Sequence, residues 1–396
     1  MKKVSWLVVL LSLFALSLWA QDPQDLLKSY TRNFAIASID VKIEIIRDAG
    51  ESGYREMGPL YLRAVNYVLD NYALIDSDQR FRQLAVAALG RLQEVGYREA
   101  RHSVWKLFDM DSETGVRVAC LNALAVLAEG DKEVINYINR WLQTQNTVFQ
   151  TGKVPDLYVI SACVRALGKL GDASSFSVLF GTMGRGYTGD IGRDARAALL
   201  ALRGDLANGI IGVLRDGTLT EKQQALNFAL ELSSDRLSEE AKAGIARFAL
   251  DVGLHTGLTD NPSRQIAREM RFTAVRALSE RRWSRATPLA IEHFDAILLE
   301  YDRGLADINR LLEAINLLGN MGTHEAAVRL TQYLMLLNSF TEGIQEYDGR
   351  IVLAVVENLG KLGDKTAFDD LMYAQYLSYS PEIKRAIRTA LERLNW

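Results

Sequence analysis

Four histidines, two cysteines and a surplus of carboxylates are the side chains with the means to do chemistry in this chain. His102, His255, His293 and His324 stand far apart, with no H-E-x-x-H pair and no recurring ligand spacing. A histidine-bound metal site of that kind needs two imidazoles on one helical face, so that both reach a single ion. Cys120 and Cys163 form no C-x-x-C pair, and no serine sits in a nucleophile elbow. These spacings point to no catalytic residue, no metal and no cofactor, and the expectation is a protein that is not an enzyme.

Two segments have the residue types for binding instead. Five glycines fall between Gly181 and Gly192. A phosphate cradle would need G-x-x-x-x-G-K-[ST] after a strand; lacking both, the segment reads as a flexible contact loop with Arg185 and Tyr187 as its contact residues. The densest basic stretch holds Arg264, Arg268, Arg271, Arg276, Arg281, Arg282 and Arg285, opposed only by Glu269 and Glu280. Arg264, Arg268 and Arg271 share one helical flank. Such a flank could meet an acidic partner or anionic surface, or be a solvated face paired with acids of adjacent repeats. The whole chain carries 46 basic and 49 acidic residues, net −3, a mild acidity that argues against a general nucleic-acid binder.

The elements that must position these residues are helices. Phe81, Leu84, Ala85, Ala88, Leu89 and Leu92 recur at intervals of three and four, which is one face of a helix. The same spacing returns at Val116, Ala119, Cys120, Ala123, Leu124, Leu127, at Val159, Ala162, Cys163, Ala166, Leu167, Leu170, and at Ile383, Ala386, Ile387, Ala390, Leu391, Leu394. Anchor leucines fall at 89, 124, 167, 199, 230, 278, 318, 359 and 391. The intervals between them each fit two helices and two turns, and a single hairpin cannot bury such a face alone, so stacking must supply the core. All six prolines, Pro23, Pro59, Pro155, Pro262, Pro288 and Pro381, lie where a helix would start.

After the anchor comes a turn, clearest in Leu167-Gly168-Lys169-Leu170-Gly171-Asp172 and the identical Leu359-Gly360-Lys361-Leu362-Gly363-Asp364. Glycine can end one helix in the left-handed conformation and aspartate can cap the next. Val116-Arg117 leading to Ala123-Leu124, with Ala166 to Asp172, resembles HEAT repeats, most closely the short bacterial type also found in phycobilin lyases. The resemblance implies an all-α, right-handed α-α superhelix of about eight or nine hairpins. It also implies a structural ladder between units, for which Asp111 and Arg117 match the family's pair. The expected organisation is a signal peptide at 1–20, an N-terminal helical cap at 21–78 and a repeat array at 79–396.

Met1-Lys2-Lys3, the apolar run Val4–Leu18 and Ala20 read as a signal peptide cleaved near Ala20. The protein is then periplasmic or secreted, or membrane-anchored if the segment is retained. Equivalent positions on packed helices lie about 8–10 Å apart, beyond the roughly 7 Å reach of a disulfide, so Cys120 and Cys163 are expected reduced and buried. Long connections, Thr144–Pro155, Gly181–Gly192, Asp251–Pro262 and Asn338–Gly349, gather on one edge. The expected function is an exported scaffold binding another protein through its concave surface or that long-loop rim. The alternatives are an enzyme or prosthetic-group handler of the phycobilin-lyase type and an envelope-anchored structural protein.

Overall fold

The computed structural model describes residues 22–257, 261–343 and 347–394; the signal-peptide reading lies outside them. Among the described residues there are twenty α-helices and no β-strand. Their contacts divide the chain into two units, one ending at Gly204 and one beginning at Asp205. The expected boundary between a cap and a single array, at residue 79, does not mark that division.

The first unit holds α1 (Pro23–Ile36), α2 (Ile39–Glu51), α3 (Gly58–Asp70), α4 (Arg80–Val95), α5 (Arg101–Met110), α6 (Thr114–Leu127), α7 (Lys132–Gln150), α8 (Leu157–Leu170), α9 (Phe176–Gly184) and α10 (Ile191–Ala201). Consecutive helices pair into five hairpins. Their second members, α2, α4, α6, α8 and α10, pack successively into one layer, and the first members form the other. The second unit repeats this scheme with α11 (Leu206–Asp216), α12 (Leu219–Glu231), α13 (Glu239–His255), α14 (Asn261–Arg281), α15 (Thr287–Asp302), α16 (Ile308–Met321), α17 (His324–Glu342), α18 (Gly349–Leu362), α19 (Phe368–Ala374) and α20 (Pro381–Glu392). Each unit is thus a two-layer, all-α stack of the solenoid kind.

The striped helices form the second layer because their apolar face meets a neighbour on either side. Leu89, Leu124, Leu167, Leu199, Leu278, Leu318 and Leu359 are buried, as are Cys120 and Cys163, which are free thiols pushed up in pKa by burial. Two anchors depart from expectation. In α12 the buried face is Ala225, Leu226, Phe228 and Ala229, so the register runs one residue ahead of Leu230. Leu391, on the last described helix, is half-buried.

The shared hexapeptide folds as its chemistry dictates. Gly171 and Gly363 end α8 and α18 at φ 66°. The Asp172 and Asp364 carboxylates then accept from the amides of Ser174 and Thr366 at 2.9 and 3.0 Å.

These paired motifs belong to a longer correspondence that the stripe alone conceals. Residues 131–202 align with 323–394 without a gap, and 21 of the 72 pairs are identical. The matches include caps, turn residues and a buried asparagine besides stripe residues, so they reach beyond shared helical periodicity. Arg82, Ala85, Val86, Ala88 and Leu89 of α4 likewise match Arg271, Ala274, Val275, Ala277 and Leu278 of α14. With ten helices in the same order in each, the two units are copies of one ten-helix module.

Candidate functional site

The arginine flank of α14 is occupied from within. Arg271, 6% exposed, places its Nη2 2.7 Å from Glu300 Oε1 on α15, and Arg268 Nε lies 3.7 Å from Glu300 Oε2. The same device appears in the first unit, where Arg82 reaches the fully buried Asp111 at 3.3 Å and Asp76 at 2.7 Å. Arg117 Nε donates instead to the Asp111 main-chain carbonyl at 2.6 Å. The ladder arginine on the Asp111 carboxylate is therefore Arg82 of the preceding hairpin. Arg271 is its counterpart in the second copy and a structural residue, which corrects its reading as a contact residue. Arg264 is exposed at the start of α14.

The glycine segment is also closed down. Tyr187 is 7% exposed, and its hydroxyl donates to Asn146 Oδ1 at 2.9 Å, while its ring lies 4.2 Å from that of Phe149. Asn146, fully buried, donates in turn to Thr182 Oγ1 at 2.9 Å. Burial raises the Tyr187 phenol to about 12. A buried amide with every polar atom engaged holds the loop like a latch, so Tyr187 is not an open contact residue, and Arg185 beside it is half-buried. The second copy repeats the latch: Tyr379 donates to Asn338 Oδ1 at 3.0 Å, and Asn338 to the Asp370 carbonyl at 3.1 Å. The expected long connections are helical in part, since α7 runs to Gln150, α9 to Gly184, α13 to His255 and α17 to Glu342.

A cavity lies on the opposite edge of the first unit, where the tight turns gather. It encloses about 940 Å³, and its wall includes Arg98, Glu129, Lys132, Asn136, Asp172 and Arg203. They come from the turns and helix starts of successive hairpins. Arg98 follows α4 and donates to the Glu129 carbonyl after α6. Arg203 follows α10, donates to the Leu170 carbonyl at 3.0 Å and lies 3.2 Å from Glu129 Oε1. Arg101, paired with Asp131, lines a smaller adjoining cavity. Hydrogen bonds from Ser174, helped by Lys132 and Arg203, hold the Asp172 carboxyl below its usual range.

The second copy separates the structural members of this basin from the particular ones. Asp172 recurs as Asp364, whose Oδ2 lies 2.8 Å from Nδ1 of His324, the residue matching Lys132. Arg98 and Arg203 have no such counterparts, since Ser284 and Asn395 occupy the matching positions. The periodicity could not reveal this site, because its residues lie in turns outside the stripe. The available signal was the cationic residue at each turn that its copy lacks.

Among the described residues no group of three histidine, cysteine, aspartate or glutamate side chains converges as a metal site would. No helix there is long and apolar enough to cross a membrane. No protein-family model matches the chain, and no curated protein is similar to it. Among solved structures, the crystal structure of an engineered protein is 15% identical over 94% of this chain and 99% of its own, with a TM-score of 0.34. At that score the likeness bears on neither fold nor function.

Proposed function

We propose that this chain is an exported, HEAT-like scaffold, not a catalyst, and that the turn-edge basin of its first unit seats an acidic segment of a partner protein. The observation that carries the reading is the pairing of Arg203 with Glu129 across the basin. Its side chains are 65% and 57% exposed. An exposed pair of this kind is worth at most about 1 kcal/mol. A carboxylate on a partner can therefore displace Glu129 from Arg203 at little cost, while Arg98, Arg101 and Lys132 supply further positive charge around the same opening. The flank at Arg264, Arg268 and Arg271 is a weaker candidate, because Glu300 already pairs with two of its three members.

A fluorescent glutamate-rich peptide titrated into the full chain tests the seat. Binding should weaken with salt, as exposed charge pairs do, and should fall at least tenfold in Arg98→Glu/Arg203→Glu while persisting in Arg264→Glu. Equal binding by both variants would sink the proposal. Export rests on Met1-Lys2-Lys3 and the apolar run to Leu18. Sequencing the mature N-terminus should find a start near Gln21; a retained Met1 would favour the anchored alternative.

A further inference from the structure

The buried histidine of the second unit is the group that its copy does not share. The turn Arg98–Ala100 and helix α5 correspond to Ser284–Ala286 and α15, with Phe108 and Asp109 matching Phe294 and Asp295. This alignment sets Leu107 opposite His293. Both are fully buried, but Leu107 is an ordinary core residue, whereas neither ring nitrogen of His293 has a hydrogen-bond partner. A buried polar group without a partner is destabilising, so a histidine here weakens the second copy even while the ring is neutral.

The surroundings make the charged ring worse. His293 faces Arg271 of α14, whose own Nε is also without a partner. Among the described residues, Arg271 is the one charge that acts on His293, and the ion pairs on the helices around α15 are made among other groups. On α13, Asp251 and His255 pair with each other, and His255 also with Glu292. On α14, Arg268 and Arg271 hold Glu300. Arg310 of α16 pairs with Glu313, and Arg329 of α17 with Asp295. None of these carboxylates partners His293. We propose that His293 is an acid-sensitive trigger: its protonation opens the packing of α15 in the second unit, while the first unit, with Leu107 in its place, stays closed.

The direction follows from linkage. Burial, and then the Arg271 charge, lower the His293 pKa to about 3, against 6.5 for the exposed ring. The open state therefore binds the proton and the closed state does not. Stability is complete above pH 6.5 and is lost as pH falls below it. His255 acts in the opposite sense, since its contacts with Asp251 and Glu292 raise its pKa, so the comparison must be made against a variant that changes His293 alone.

Hydrogen exchange of the full chain, followed peptide by peptide at pH 7.5 and 5 and corrected for intrinsic rates, reads the opening of α15 beside that of α5. In the wild type the opening equilibrium of α15 should rise about thirtyfold at pH 5, and that of α5 should not follow it. His293→Leu, which copies the first unit, should abolish the rise. His293→Gln, polar but unable to titrate, should abolish it too and serves if the leucine packs poorly. The same acid response in the wild type and both variants, or no response in the wild type, would overturn the proposal.

Discussion

A Cβ placed on Gly168 would stand 2.8 Å from the Cβ of Ala198, and one on Gly360 2.9 Å from both Cα and Cβ of Ala390. These glycines let α10 and α20 approach the helices before them, so their hexapeptide encodes a packing contact as well as a turn. Gly168→Val or Gly360→Val should lower stability by about 1–3 kcal/mol through overpacking. Gly90→Ala, whose Cβ would meet nothing within 4 Å, should raise it by about 0.5–1 kcal/mol. Urea midpoints measure both, and equal effects at the three sites would show that the close approach is not constraining. The turn glycines Gly171 and Gly363 were legible from their spacing, whereas the role of Gly168 and Gly360 depends on a helix thirty positions away (198 less 168, 390 less 360). Arg271 and Tyr187 were misread for the same reason: Glu300 and Asn146, which satisfy them, are remote in sequence.

At the scale of elements, the stripe gave the second helix of nearly every hairpin because its burial repeats at a fixed period. The connections were harder. The glycines that stop these helices, Gly152 and Gly343, lie beyond Gln150 and Glu342, and the segments after Asn146 and Asn338 look like loop until their buried amides are seen. Those latches should matter energetically. Asn146→Leu strands the Tyr187 hydroxyl in a buried site and should cost about 1–3 kcal/mol, with faster proteolysis at residues 185–190. Tyr187→Phe should cost less, and a double-mutant cycle should give a coupling of at least about 0.5 kcal/mol. Additive losses would mean that the 2.9 Å contact contributes nothing as a pair.

At the scale of the molecule, two copies of one module have kept their caps, latches and close approaches while diverging elsewhere. The recurrence was open to sequence reading, since 338 less 146, 359 less 167 and 379 less 187 all equal 192. Aligning by single hairpins hid it. Divergence is what gives each copy its own chemistry: Arg98 and Arg203 in the first, His293 in the second. Hydrogen exchange of the full chain with and without the glutamate-rich peptide tests most directly where a partner sits. A seat in the basin predicts protection at 98–101, 129–132 and 170–174 with none at 264–271. Protection confined to 264–271, or to the loop at 185–190, would contradict it.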